Sequence, residues 1–323
     1  MRNIFRHILA ALLATAIVAG QAFAQGYPNK LLRVIVPHSA GSSPDVVTRL
    51  VAQKLSERLG QPVVIDNRVG AGGSIGLGQG AKSPADGYTL IIGHVGTLTI
   101  NPNIYTNLTY DSVKDFSPVT LSATTPLLVV VSAESPYKSM ADIIAAAKAN
   151  PGKITFSSAG NGTASHMSGV LFAAMTGVEL FHVPYKSAPA ALTAVMGGDV
   201  TLTFGGQPAA WPLVRANKLR AMALTSGTRV AEFPDVPIVA ETVAGYEVLD
   251  WNGFMVPAGT PSEIVRMLNK ELVQIINEPG MIKQLRGLGL HPAAGTPEQF
   301  AERIGSERQK WARVAKNINL KLD

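Results

Sequence analysis

The chain has 323 residues, 46% of them hydrophobic and 15% charged, with a formal net charge of +6 and no cysteine. A chain of this length and polarity buries a large core rather than staying disordered, and it favours two lobes over one, because single cores rarely grow past about 250–300 residues. The missing cysteine excludes thiol nucleophiles and cysteine-based metal sites, and Lys and Arg are scattered rather than bunched with aromatics, which argues against nucleic-acid binding.

The first predicted element is a leader. Arg2 and Arg6 precede an apolar run over residues 8–20, and Ala22-Phe23-Ala24 places small residues where a signal peptidase reads. That order predicts a secretory signal peptide over residues 1–24, cut before Gln25. The run is too short for a membrane span, which needs about 20 residues, and no cysteine near the cut would carry a lipid. Loss of Arg2 and Arg6 leaves 26 basic residues against 22 acidic ones, a net charge of +4 that slightly favours anionic ligands.

Short apolar runs then alternate with helical stripes. Residues 31–36 read as a buried strand, followed by a helix whose apolar residues recur at 46, 47, 50, 51, 55 and 59. Ser43 is the expected N-cap, with Pro44 and Asp45 suited to the first turn. Residues 63–66, 88–92, 127–131, 154–157, 180–184, 200–204 and 219–224 read as further strands. Ser139 with Asp142 opens an Ala-rich helix, and a helix is expected over 163–175. In the last third, Thr260-Pro261-Ser262-Glu263 and Thr296-Pro297-Glu298-Gln299 both read as helix starts with Thr at the N-cap. Alternating strand and helix implies an α/β protein with mainly parallel sheets.

Two strand-to-helix loops carry unusual chemistry. In open α/β sheets, ligands bind beyond the carboxyl ends of the strands. The first loop, residues 37–45, combines small residues with the Ser39, Ser42 and Ser43 hydroxyls ahead of a helix whose unpaired N–H groups suit an anion. An ordinary capped loop explains it equally well. The second, residues 157–166, has two glycines and more hydroxyl residues than capping needs, which favours a carboxylate or phosphate cradle over a tight turn. Two such loops would grip an anion from opposite sides with neutral donors, avoiding the cost of burying a Lys or Arg.

Other chemistries find less support. Gly76-Leu77-Gly78-Gln79-Gly80-Ala81 fits a dinucleotide fingerprint formally but lacks a strand before it and an acidic residue about 20 positions on. His38, His94, His166, His182 and His291 show no metal-ligand spacing. His94 and His182 read as hydrogen-bonded histidines near strands, whereas His38 and His166 sit on the suspected loops. No G-x-S-x-G elbow is present, and Trp211 and Trp251 read as packing residues.

With those loops identified, the chain resembles the Bug family of extracytoplasmic receptors, the binding components of tripartite tricarboxylate transporters. The resemblance spans the mature chain. It rests on YPNKLLRVIVPHSAGSSPDVVTRLVAQKL, DNRVGAGGSIGLGQGAKSPADGYTLIIGHVGTLTINPNIY, KDFSPVTL, NPGKITFSSAGNGTASHMSGVLF, FHVPYKSAPAALTAVMGGDV and PDVPIVAETVAGYEVLDWNGFMVPAGTPSEIV, in that order. It implies a two-lobe periplasmic binding protein of type II-like fold with an interlobe cleft. Lobe 1 would comprise residues 26–125 plus 249–323, and lobe 2 residues 126–248. It further implies a small carboxylate ligand held by His38, Ser39, Ala40, Gly41, Ser42 and Ser43 from the first loop. Ser158, Ala159, Asn161, Thr163 and His166 would hold it from the second, with Thr97, Ser187 and Gly205 as further contacts.

On this resemblance the chain is a monomeric periplasmic receptor rather than an enzyme, has no cofactor or metal, and delivers its ligand to membrane transporter subunits or presents it to a membrane sensor. A secreted α/β hydrolase is the remaining alternative. Departures from the family pattern are Ala40-Gly41 for a Gly-Gly pair, Val170 for a frequent Glu, Thr201 for an acidic residue, and Gly205-Gly206 after Phe204 where a polar residue is common. They imply an altered distal pocket, in which Gly205 leaves room for a bulkier or less polar ligand end and an amine is disfavoured.

Overall fold

The computed structural model describes residues 26–317 and 320–322; the expected leader over residues 1–24 lies outside them. The order of elements follows from where apolar runs can be buried on both faces. β1 (Leu32–Val36) and β3 (Thr89–His94) are buried almost throughout, and β2 (Val63–Asn67) lies at the sheet edge. The first sheet has six strands in the order β11-β4-β10-β3-β1-β2, completed by β4 (Phe116–Pro126), β10 (Leu249–Pro257) and the short β11 (His291–Pro292). The second has five, in the order β7-β6-β8-β5-β9: β5 (Leu128–Ser132), β6 (Ile154–Ser158), β7 (Leu180–Pro184), β8 (Leu202–Gly205) and β9 (Leu219–Leu224).

Helices cover both sheets. In chain order they are α1 (Ser43–Leu59), α2 (Ser74–Ala81), the short α3 (Asn101–Ile104), α4 (Met140–Ala149), α5 (Ala164–Thr176), α6 (Ala188–Gly197) and α7 (Gln207–Arg215). α8 (Ser262–Ile276), α9 (Pro279–Gly287) and α10 (Pro297–Asn317) return to the first sheet's side. Leu268, Leu272 and Ile276 of α8 pack with Val47, Val51 and Leu55 of α1 in one fully buried cluster. Trp251, Phe300 and Trp311 share a second cluster with Phe156, Phe172 and Phe204 of the other sheet, so apolar packing is continuous across the two.

The expected α/β architecture is present, but the sheets are mixed rather than mainly parallel. Among the strand pairings, four are parallel and five antiparallel. Three of the antiparallel pairings involve β4 or β10, which sequence reasoning did not read as strands, and the other two come from β5, which runs antiparallel to both β8 and β9. β4 is Ser/Thr-rich and contains Pro118 and Pro126, and β10 is buried on both faces and shows no alternation. They pair antiparallel from Leu249↔Pro126 to Pro257↔Phe116. At the point where the chain passes between sheets, Thr225 ties the crossings together. Its Oγ1 accepts the Leu127 N–H at 2.8 Å and donates to Val248 O at 2.6 Å.

Two helix starts also differ from expectation. Ser42, extended at φ −73° and ψ 161°, is the N-cap of α1, and Ser43 is its first helical residue. Thr260 donates to Pro257 O at 2.7 Å instead of capping α8, which Pro261 precedes directly. The Ser139–Asp142 box forms as read, and Thr296 and Gln299 exchange the bonds of a capping box at 2.9 and 3.2 Å.

Candidate ligand-binding cleft

The first loop is held from below by a buried carboxylate. Asp45, 1% exposed, accepts from Arg49 Nε and Nη2 at 2.9 Å, from Asn67 Nδ2 at 2.9 Å and from the Gly41 N–H at 3.0 Å. Asn67 also donates to His38 O at 2.9 Å. Burial alone would raise the Asp45 pKa, but the hydrogen bonds from Arg49, Asn67 and Gly41 outweigh it and hold the carboxyl below its ordinary value. Gly41, at φ +79°, makes the turn an L side chain rarely adopts. The result is a rigid loop that leaves the first N–H groups of α1, at Ser43 and Asp45, without acceptors among the described residues.

The second loop is braced by histidines. Thr163 caps α5, accepting the His166 N–H at 3.3 Å and donating to Gly160 O at 2.7 Å. His166 Nδ1 accepts the Gly162 N–H at 3.2 Å, and its ring stacks on His182 at 4.1 Å. Ser158 Oγ lies 2.7 Å from His182 Nε2 and accepts the Gly160 N–H at 3.1 Å. Burial, with His182 beside it, lowers His166 to about 3, and burial lowers His182 to about 4, so both rings are neutral near pH 7. At this helix start the Ala164 and Ser165 N–H groups have no acceptor among the described residues.

The two loops face a shared space. A cavity of about 590 Å³ is lined by Pro37–Ser39 and Ser42 on one side, and by Ala159–Asn161 and Pro184–Ser187 on the other, with the Val69–Gly73 loop and Tyr105 closing it. A second space of about 50 Å³ shares His38, Ser42 and Ala159 with it and reaches down to His94, Leu127 and Asp250. Ser42 and Thr163 both line this smaller space, so the starts of α1 and α5 converge on it, as do Ala188 of α6 and Gly206, the N-cap of α7. Neutral N–H donors and helix dipoles therefore point at one spot, an arrangement suited to an anion.

The expected site residues divide cleanly. His38, Ser39, Ser42, Ser43, Ala159, Asn161, Thr163 and Ser187 border one or both cavities. Ala40, Gly41, Thr97, Ser158, His166 and Gly205 do not. Gly41 spends its N–H on Asp45, and Thr97 exchanges bonds with the His94 backbone at 3.1 and 3.2 Å. Ser158 and His166 act as braces. Gly205 points into the second sheet's own core, where an added Cβ would meet Leu192 and Ala210 at 3.2 and 3.3 Å, so it opens no room for ligand. Sequence reasoning missed the 69–73 loop, Tyr105, Lys186 and Asp250. The positive φ of Gly70, Gly72 and Gly73 was the available signal for the first, in the run G-A-G-G.

Comparison with known proteins places these features in context. Residues 47–320 match the model of the tripartite tricarboxylate transporter family receptor. The chain is similar to protein BugT of Bordetella pertussis, at 34% identity over 98% of this chain and 97% of that one. Among solved structures it is similar to R. palustris Rpa4515 with adipate, at 36% identity and a TM-score of 0.89, covering 92% of this chain and 99% of that one. It is also similar to MatC from Rhodopseudomonas palustris with bound malate, at 29% identity and a TM-score of 0.84, over 89% of this chain and 99% of that one.

Proposed function

The chain belongs to the tripartite tricarboxylate transporter receptor family, and from that premise we propose that it captures a small organic carboxylate between two lobes and hands it unchanged to a membrane transporter. The lobes are residues 26–125 plus 249–323 and residues 126–248, hinged where β4 and β10 pass between the sheets. One observation carries the reading: the unpaired N–H groups at the starts of α1 and α5 face the same cavity from opposite sheets. A carboxylate lodged there takes hydrogen bonds from both lobes, so it favours the closed arrangement by differential affinity. The 590 Å³ cavity holds the rest of the molecule, and Lys186 at its margin attracts a second carboxylate, in keeping with the adipate and malate bound by the related structures.

Binding without chemistry fits the placement of the one Ser–His contact noted among the described residues. Ser158 is fully buried, borders neither cavity, and accepts a backbone N–H, so it offers ligand no nucleophile. Secretion to the periplasm through the leader and a monomeric state belong to the same proposal. The test is a thermal-shift and calorimetric screen of mono-, di- and aromatic carboxylates on the mature chain, refolded to strip retained ligand. A ligand at 100 times its dissociation constant adds about 2.7 kcal/mol of stability. Absence of any shift across the panel would overturn the proposal.

A further inference from the structure

The smaller cavity holds a group that carboxylate capture alone does not use. Asp250, near the start of β10, is 4% exposed and lines this space. Its Oδ1 lies 2.5 Å from His94 Nε2. His94 accepts the Gly96 N–H on Nδ1 at 3.0 Å, which leaves Nε2 to donate toward Asp250. His38, whose ring is 4.5 Å from that of His94, is kept neutral by burial and by that neighbour. His38 Nε2 and Ser42 Oγ are shielded from solvent and lack a hydrogen-bond partner among the described residues. Two unsatisfied polar atoms beside one space, with a carboxylate on its wall, are costly unless an occupant meets them.

The size and charge of the space define that occupant. At about 50 Å³ it admits about three to five non-hydrogen atoms, since a water-sized atom needs about 10–15 Å³ of such volume, enough for a carboxylate and the atoms beside it. Its walls include the α1 and α5 starts that hold the carboxylate in the proposed function, on which this inference rests. A plain acid bound there sets two carboxylates against each other. A donor on the ligand removes the conflict by hydrogen-bonding Asp250.

We propose that Asp250 makes this receptor select carboxylates that carry a hydrogen-bond donor, a hydroxyl or an amine, on the carbon beside the carboxylate. This replaces the expectation of a less polar pocket that excludes amines, which depended on Gly205 facing the ligand.

Isothermal titration of the refolded mature chain with matched sets tests it: propanoate, lactate and alanine; succinate, malate and aspartate; 3-phenylpropanoate, 3-phenyllactate and phenylalanine. A hydrogen bond to a charged group is strong enough that, in the set that fits, the donor-bearing member binds about tenfold or more tightly than its plain partner. Asp250→Leu, close in shape but unable to accept, collapses that ratio to within about threefold, and the plain acid gains affinity. Asp250→Asn, which keeps an acceptor but no charge, loses the preference for the amine more than that for the hydroxyl and so separates the two donors. Plain acids binding as tightly as their partners in the wild-type protein, a measurement that needs no variant, overturn the inference while leaving carboxylate capture intact. An unchanged ratio in a folded Asp250→Leu protein also overturns it. Failure of every acid in every set counts against both.

Discussion

In the proposed two-lobe reading, closure of the cleft brings backbone against backbone, and Gly96→Ala tests this. Gly96 lies in the π-helical turn after β3, and a Cβ built on it stands 2.7 Å from Gly162 O in the second loop. Ordinary contact begins at 3.4 Å, so that carbonyl must retreat by about 0.7 Å. Gly72 repeats the pattern, an added Cβ there crowding Asn161 O, whereas at Gly162 it would crowd the Asn101 side chain. Gly96 is the better probe because its φ lies outside the left-handed region, so alanine brings bulk without backbone strain. Overpacking of this kind costs about 1–3 kcal/mol. Inside one rigid core the whole cost would fall on folding. Between two hinged lobes it falls on closure, because a small opening relieves it. Ligand affinity is then expected to drop about five- to 150-fold, while the ligand-free melting temperature stays near wild type. Calorimetry with a ligand from the carboxylate screen and thermal melting of the free protein read the two quantities separately. Unchanged affinity, or a loss of free-state stability matching the loss of affinity, would refute the reasoning.

Thr163→Ala removes the N-cap of α5 and is expected to cost about 1 kcal/mol of stability, read from urea unfolding, in addition to weakening ligand binding; an unchanged urea midpoint would contradict the capping role. Asp45 has a folded pKa below its unfolded value, so its stabilisation is present above about pH 4 and is lost as pH falls through the folded value. Asp45→Asn should accordingly show a shallower loss of stability on acidification below about pH 4, measured by denaturant melts along a pH series. His166 and His182 are lowered to about 3 and about 4 in the folded protein. The unfolded chain therefore binds protons below about pH 6.5 that the folded protein refuses, and stability falls from there toward pH 4. His182→Gln should flatten that limb, and an identical slope in the variant would count against the buried neutral ring.

The sequence disclosed most where local chemistry decides structure. The two loops, the Ser139–Asp142 box and nearly all strands of the parallel units followed from periodicity and capping residues. β4 and β10 escaped because two-sided burial erases alternation, and Pro118 and Pro126 argue against a strand unless partners are known. Ser158 and His166 brace the second loop and line neither cavity, and composition does not separate hydroxyls and imidazoles that brace a turn from those that bind. Asp250 is 205 positions from Asp45 and 156 from His94 in the chain, and only the β10–β3 pairing, Asn252↔His94, brings it beside the histidine. No local pattern encodes that meeting.

Placement of Asp250 has a mechanical consequence as well as a chemical one. It pairs with Thr125 across the β10–β4 crossing, one residue from Leu249↔Pro126, where the chain leaves the first sheet. A ligand whose carboxylate bridges the starts of α1 and α5, and whose neighbouring donor reaches Asp250, touches both lobes and the hinge at once. The helix starts give affinity for any carboxylate of suitable size, since backbone N–H groups do not discriminate among side chains. In the proposed reading the carboxylate of Asp250 adds a condition that a plain acid fails, at the strand crossing where the chain leaves the first sheet. Ligands lacking the donor would then occupy the cleft yet close it less completely, and by linkage a mutation that favours the open state, such as Gly96→Ala, should penalise the donor-bearing acid more than the plain one. Equal penalties for malate and succinate in that variant would separate selectivity from closure and leave Asp250 as a local contact alone.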